Sequence, residues 1–207
     1  MLSLEALKKS FGSRSVLKSI DLELQDGEVV AITGPNGSGK TTLLRILSTL
    51  MRSDGYATAK LDGFDITNSS EEVKARVGYL PHSSIFYSEL SGFENLDFWS
   101  KMHNLDNRTQ LVQESLINAG LSSFSDDRTG LYSEGMLQRL GLAMATIHNP
   151  TTLLLDEPFN NLDTKGLEYL TGIIANSREN NRSILMITHQ KEELADKVLR
   201  LERGTLF

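Results

Sequence analysis

Nine consecutive residues, 34–42, have the composition of a loop that binds phosphate groups. They read Gly-Pro-Asn-Gly-Ser-Gly-Lys-Thr-Thr, after an apolar run at 29–32 and before an apolar segment at 43–47. The first run is typical of a buried strand and the second of a helix, so the glycines turn the chain from a strand into a helix N-terminus. Such a turn directs backbone N–H groups at phosphate oxygens, and the helix dipole adds partial positive charge.

Two side chains of this segment have the chemistry to bind a nucleoside triphosphate. Lys40 is expected to reach the β- and γ-phosphates, and the Thr41 hydroxyl is expected to ligate Mg²⁺. The alternative is an ordinary glycine-rich turn with a surface lysine, and the strand and helix patterns on its two sides argue against that. The predicted nucleotide contacts comprise the whole loop: Gly34, Pro35, Asn36, Gly37, Ser38, Gly39, Lys40, Thr41 and Thr42.

Two adjacent carboxylates, Asp156 and Glu157, follow the apolar run 152–155. That run is typical of a buried parallel strand, and α/β sheets bind ligands at the carboxyl ends of their strands. We expect Asp156 to hold Mg²⁺ together with Thr41, and Glu157 to polarise the water that attacks the γ-phosphate. A helix-capping or solvated acidic pair with a purely structural role is the alternative.

Three further residues could contact phosphate. His189 follows the apolar run 183–187 and could donate to a γ-phosphate, although such a histidine is often only a satisfied polar group. Ser133 and Gly135 open a segment with apolar residues at helical spacing, so a hydroxyl, backbone N–H groups and the helix dipole would meet there. A plain N-cap serine with a glycine nearby is the alternative for this pair.

The remaining patterns predict an α/β core with an antiparallel N-terminal part and a helical insertion. Residues 2–33 alternate like strands, with Asp26-Gly27 as a hairpin turn, and 56–61 predicts a second strand hairpin. Only helical periodicity is found from about 84 to 148, which predicts an inserted helical lobe. Further strands are predicted at 77–82, 152–155, 183–187 and 197–201, and helices near 41–51, 71–76, 164–180 and 190–195.

Composition excludes several classes of protein. The 207 residues include no cysteine, which removes disulfides and thiolate metal sites. The net charge of −6, without a long basic run, argues against nucleic acid as a partner. No apolar run approaches the length of a membrane-spanning helix, so the chain is not expected to cross a membrane by itself.

The order of these motifs resembles the ATP-binding-cassette (ABC) ATPases over the whole chain. In that resemblance 34–42 is the Walker A loop, 133–136 lies in the signature, and 153–157 is Walker B. The segment 161–163 is the D-loop, and His189 is the switch histidine. The fold implied is that of a P-loop NTPase with a RecA-like α/β core, an antiparallel N-terminal β subdomain and an inserted helical lobe, all within one domain spanning 1–207.

The resemblance also implies an assembly in which two copies bind head to tail. Each ATP would lie between the phosphate loop of one subunit and the Ser133/Gly135 helix start of the other. His189 and Asp163 would link the γ-phosphate to the opposite subunit. Phe11, for which the local pattern alone favours a core position, would then stack on adenine. Such ATPases usually drive integral membrane subunits, so the chain is expected in the cytoplasm, attached to the inner membrane only through partners.

Some positions depart from the common family pattern. His82 stands where glutamine is usual, and it could still contact the nucleotide or Mg²⁺-bound water. Tyr132, Met136 and Asn161 also replace the usual residues. His82, the segment 90–96 and the Asp-Glu-Pro-Phe sequence after residue 155 resemble the ATP-binding subunit of the haem exporter of cytochrome c maturation.

Three other interpretations stay open at this point. One is the ATPase of another small-molecule, lipid or peptide exporter, and another is a soluble cassette ATPase of iron–sulfur assembly. The third is a degenerate cassette that binds ATP without hydrolysing it. Within the exporter interpretation, the apolar residues of 83–93 predict a docking surface for a membrane partner, unless they pack the helical lobe.

Overall fold

A computed structural model describes residues 1–83 and 85–207 of the chain. Within these residues the strands and helices follow the predicted order, except that the segment predicted as a helix near 190–195 forms only a short 3₁₀ helix, Glu192–Leu194. The strands are β1 (Leu2–Phe11), β2 (Arg14–Leu24), β3 (Val29–Thr33), β4 (Thr58–Leu61), β5 (Phe64–Asp65), β6 (Val77–Leu80), β7 (Thr152–Asp156), β8 (Ser183–Ile187), β9 (Lys197–Glu202) and β10 (Thr205–Leu206). The α-helices are α1 (Lys40–Leu47), α2 (Ser70–Lys74), α3 (Gly92–Met102), α4 (Arg108–Asn118), α5 (Glu134–Thr146) and α6 (Thr164–Glu179).

The ten strands form one sheet in the order β5-β4-β1-β2-β10-β9-β3-β8-β7-β6. Strands β9, β3, β8, β7 and β6 are parallel, whereas β5, β4, β1 and β2 pair antiparallel. Short β10 joins the two halves, since it pairs parallel with β2 and antiparallel with β9. The α/β class, with an antiparallel N-terminal part, is therefore confirmed.

Strands β3, β7 and β8 are buried on both faces, which explains their nearly uninterrupted apolar runs. On one face α1 packs against a core that also includes the N-terminal strands. On the other face α6 packs through Leu170 and Ile174 against β3, β7 and β8. Strands β3, β6, β7 and β8, which precede the phosphate loop, His82, Glu157 and His189, are parallel neighbours, so their carboxyl ends lie at the same edge of the sheet.

A separate apolar cluster joins α3, α4 and α5. Leu96, Val112, Leu116 and Leu140 are fully or almost fully buried in it. Helix α5 also packs on β6, where a Cβ on Gly78 would come within 1.9 Å of the Ala145 carbonyl oxygen. This close approach attaches the helical lobe to the core. Ser84, which falls in the predicted lobe and in the segment 83–93, lies outside the described residues.

One expectation about the strands was wrong. Asp26-Gly27 does not close a hairpin, because β2 and β3 are separated in the sheet by β10 and β9. The turn instead carries the chain across the sheet, and the N-terminal hairpin lies earlier, where Phe11 pairs with Arg14. The last residues form β10, a strand too short to show a period of two in the sequence.

Among the described residues, none of the helices combines the length and the apolar character that crossing a lipid bilayer demands.

Two histidine rings stack where α3 meets the end of α5. The ring centroids of His103 and His148 are 4.0 Å apart, and His148 Nε2 lies 3.0 Å from the Val77 carbonyl oxygen. Burial, with a further contribution from His103, lowers the pKa of His148 to about 4. The native state therefore favours a neutral ring at this contact.

This pair predicts acid-sensitive stability. Between pH 7 and pH 5 the unfolded chain takes up a proton at an ordinary histidine while folded His148 stays neutral, so the free energy of unfolding should fall by about 2 kcal/mol. Urea denaturation at the two pH values measures the change. His148→Gln retains an N–H donor and should show a correspondingly smaller pH dependence. Equal pH dependence in both proteins would contradict this account.

Candidate nucleotide-binding site

The loop between β3 and α1 turns sharply at two glycines. Gly34 has φ of 137°, and a Cβ there would come within 2.1 Å of the Leu201 carbonyl oxygen. Gly39 has φ of 111°, and its Cβ would meet the side chain of Leu17 at 2.7 Å. Neither position accommodates another residue without displacement of β9 or β2, so the curled loop depends on glycine.

Lys40 lies inside this loop. Its Nζ donates hydrogen bonds to the carbonyl oxygens of Gly34, at 2.6 Å, and Pro35, at 3.2 Å. Burial lowers the pKa of Lys40, and the charges of Glu157 and Asp156 oppose that shift. Lys40 Nζ thus lies at the centre of the loop, where a phosphate would replace part of the hydration that burial removes.

Thr41 and Asp156 meet across the sheet edge. The Thr41 hydroxyl donates to Asp156 Oδ2 at 2.8 Å, and Asp156 is only 2% exposed. Burial raises the pKa of Asp156, while the hydrogen bond from Thr41 lowers it. A hydroxyl and a carboxylate are hard oxygen donors, and Mg²⁺ with a nucleotide takes only one or two protein ligands beside phosphate and water. These residues therefore fit Mg²⁺.

Residues 1–83 and 85–207 contain no group of three or more His, Cys, Asp or Glu side chains close enough together to hold a metal ion by themselves. His82, the other predicted metal contact, follows β6 and is exposed, and it lines the same cavity as Asp156. Its charge lies near enough to oppose the rise in pKa that burial causes at Asp156 and Glu157.

Glu157 has an unusual backbone conformation. Its φ is 54°, in the left-handed region that non-glycine residues rarely occupy, and its N–H donates to the Ile187 carbonyl oxygen at 2.9 Å. Burial raises the pKa of its carboxyl group, and nearby His189 opposes the shift. His189 Nε2 lies 3.6 Å from Glu157 Oε1. Strain at this residue is typical of a functional position.

These groups surround one cavity of about 530 Å³. The described residues that line it are Arg14, Val16, Asn36, Gly37, Gly39, Lys40, Thr41, Thr42, His82, Asp156, Glu157 and Ile187. The phosphate loop, both carboxylates and His82, which are far apart in sequence, thus meet at a single concave surface.

Other predicted site residues lie away from this cavity lining. Ser133 is the exposed N-cap of α5 and accepts a hydrogen bond from the Met136 N–H at 3.3 Å, and Gly135 follows in the first turn. Asp163 is the N-cap of α6 and accepts from the Gly166 N–H at 2.8 Å. Phe11 is 49% exposed at the end of β1, with Lys9 Nζ 5.5 Å from its ring centroid.

Two residues with contacts to the site were not predicted from the sequence. Arg14 lines the cavity, and its Nη2 lies 3.8 Å from where a Cβ of Gly37 would be. Arg14 reaches the site because it pairs with Phe11 in the β1-β2 hairpin, whereas the sequence pattern predicted the hairpin turn at Asp26-Gly27 instead. Gln138 donates to the backbone of Glu157, a contact that no motif spacing reveals.

Comparison with known proteins identifies the family. The family model described as ABC transporter matches residues 17–160. The chain is 36% identical to the uncharacterised ABC transporter ATP-binding protein YdbJ of Bacillus subtilis, covering 100% of this chain and 68% of that protein. It is 32% identical to the daunorubicin resistance ATP-binding protein DrrA3 of Streptomyces coeruleorubidus, covering 100% of this chain and 66% of that protein.

A solved structure agrees in fold. It is the dimeric ATP-binding cassette MJ0796 in a post-hydrolysis state, bound to ADP and Pi, with a TM-score of 0.90 and 24% identity. The alignment covers 100% of this chain and 96% of that one. Together with the family match and the convergent phosphate loop and carboxylates, this places the chain in the ABC transporter family, as one of its ATP-binding ATPase subunits.

Proposed function

We propose that the chain hydrolyses ATP as a head-to-tail dimer and thereby drives export of a substrate through integral membrane subunits. One observation carries the dimer. The cavity is lined by the proposed phosphate loop, the proposed Mg²⁺ ligands and Glu157, while the N-terminus of α5, the other proposed anion-binding element, is exposed and is not among the described lining residues. A second copy with two-fold symmetry would supply that element to each site.

Binding of the triphosphate would depend on the loop and Lys40. Residues 34–42 would hold the phosphates through backbone N–H groups, and Lys40 would exchange its bonds to Gly34 and Pro35 for the β- and γ-phosphate oxygens. Thr41 and Asp156 would hold Mg²⁺. When bound, this ion supplies positive charge beside the phosphates. Phe11 is exposed at the end of β1, as an adenine-stacking residue would have to be.

Glu157 is the proposed base. Its carboxylate lines the cavity and would orient water and accept its proton. Burial raises its pKa, so as pH falls the base is lost at a higher pH than for a solvated glutamate. His189 contacts the same carboxylate and is proposed to donate to the γ-phosphate, which would make its position depend on the bound nucleotide.

Closure of the dimer would bring Ser133 and Gly135 of one copy to the γ-phosphate in the other. Ser133 already caps α5, so the helix terminus is formed before the partner arrives. Asp163, at the start of α6, would lie near the opposite subunit with His189. The similar cassette MJ0796 is named as dimeric, which supports this arrangement.

Membrane subunits are proposed to dock beside the site. Ile85 and Tyr87 are 51% and 57% exposed, whereas Phe86 and Phe93 pack partly against the helical cluster. Phe86, Tyr87 and Phe98 contribute to a largely apolar cavity of about 500 Å³. The exposed Ile85 and Tyr87 thus support a docking surface, whereas Phe86 and Phe93 support packing within the helical lobe. A short cytoplasmic helix of a membrane partner would fit this surface and would lie close to His82.

For the cargo, we favour an amphipathic small molecule over haem. DrrA3 is named for daunorubicin resistance, which supports drug-like cargo, and the relatives described above lend no support to haem export or cytochrome c maturation. The soluble iron–sulfur interpretation is likewise not favoured. In this proposal residues 1–207 act as one ATPase domain on the cytoplasmic face of the inner membrane, held there by the membrane subunits.

Replacing the proposed base tests the chemistry. Glu157→Gln should slow steady-state ATP hydrolysis by about 10²- to 10⁴-fold, because the amide cannot accept a proton. ATP binding should persist, and ATP-dependent dimers should accumulate in sedimentation experiments. Glu23→Gln, at an exposed position of β2, is the matched control and should hydrolyse ATP at the wild-type rate. Wild-type hydrolysis by Glu157→Gln would remove Glu157 from this role.

A pull-down tests the partners. The tagged Glu157→Gln chain, with ATP, should capture integral membrane proteins from detergent-solubilised membranes. Adding Tyr87→Asp should abolish capture without loss of ATP binding, because a charge would enter the apolar docking surface. Ile117→Asp, at a residue 62% exposed on α4, is the control and should retain capture. Recovery of soluble partners alone would contradict the transporter proposal.

A further inference from the structure

Gln138 connects the signature helix to the proposed base of the same subunit. It lies on α5, in the turn after Ser133 and Gly135, and its side chain is half-buried. Its Nε2 donates to the carbonyl oxygens of Glu157, at 3.3 Å, and Pro158, at 3.1 Å. A helix of the lobe thus holds the backbone of the residue that would activate water.

The bond falls where the backbone is strained. Glu157 has a φ of 54°, and its carbonyl oxygen also accepts from the Asn160 N–H at 3.2 Å. A non-glycine residue stays in this conformation only when its surroundings hold it there. The direction of the Glu157 side chain depends on the backbone conformation of Glu157. Loss of the Gln138 hydrogen bonds would therefore let the carboxylate change its orientation in the cavity.

The same helix also fixes the end of the segment that follows Glu157. A Cβ on Gly135 would lie 2.6 Å from the Asn161 carbonyl oxygen, so the first turn of α5 packs directly on the D-loop backbone. Helix α5 therefore contacts residues 157, 158 and 161. An α-helix transmits displacement along its axis as a nearly rigid body, and only about one turn separates Ser133 from Gln138.

We propose that Gln138 is a positioning residue that couples the two ATP sites of the dimer. When α5 engages the γ-phosphate of the opposite subunit's ATP, its shift reaches the backbone of its own Glu157 through Gln138. The base of one site then takes its active orientation only when the other site is closed. This inference rests on the proposed sandwich dimer.

The donor groups of Gln138 are tested by three substitutions. Gln138→Met keeps the length and packing but donates no hydrogen bond, and Gln138→Glu keeps the shape but only accepts when ionised. Gln138→His, at pH 8, restores one N–H donor. The two variants without a donor, Gln138→Met and Gln138→Glu, should lose about 10- to 100-fold in kcat, because the base would no longer be held in position. KM for ATP should stay within about twofold and the Hill coefficient should fall towards 1, while Gln138→His should recover most of kcat.

A purely structural role gives the opposite pattern. Met would then be tolerated, and His would lower both kcat and the melting temperature. Unchanged kcat in Gln138→Met, or in Gln138→Glu if the Met variant does not fold, overturns the inference, as does a wild-type Hill coefficient of 1. Gln110→Met, at an exposed position of α4, is the matched control and should keep the wild-type kcat and Hill coefficient.

The same assay separates this inference from the proposed function. Wild type that forms no ATP-dependent dimer, or Glu157→Gln that hydrolyses normally, removes the proposed function and the coupling with it. If wild type forms ATP-dependent dimers and Glu157→Gln hydrolyses slowly, but Gln138→Met and Gln138→Glu keep the wild-type kcat, only the proposed coupling is wrong.

Discussion

The hydrogen bond between Thr41 and Asp156 is the contact on which the geometry of the site depends. It joins the first turn of α1 to the end of β7, although β8 lies between β7 and the strand that precedes α1. Asp156 is almost fully buried, and burying a carboxylate is costly unless a donor such as the Thr41 hydroxyl compensates it. Because Lys40 and Glu157 are the neighbours of these two residues in the chain, the bond also sets the distance between phosphate loop and base.

The second constraint is that α5 contributes to two places at once. Its N-terminus is exposed and is the proposed anion-binding element, while its second turn holds the backbone of Glu157 and Pro158. In the proposed dimer these two ends serve different ATP molecules. A monomer therefore has the parts of two half-sites, and the helix between them gives a physical reason for the two sites to work together.

Local patterns predicted the parts of the site that depend on neighbours in sequence. The loop 34–42 and the strand ending at Asp156 carry their own signals, namely glycines at tight turns and apolar runs buried on both faces. Arg14 and Gln138 could not be found in this way, because their roles come from strand order and from the packing of α5. Asp26-Gly27 has hairpin composition, yet the pairing of β3 with β8 and β9 prevailed over that local preference.

Complementation between two defective chains tests the central claim, that each ATP site is built from two subunits. On the Glu157→Gln background, Lys40→Ala removes the phosphate-loop cation, and Ser133→Asp keeps an N-cap but places negative charge at the γ-phosphate. Neither variant should form ATP-dependent homodimers, since every site would be defective. A mixture should form heterodimers, because one of their two sites is intact, and two different tags with an ATP-dependent pull-down measure this. Absence of heterodimers, or homodimers of either variant, would contradict the account.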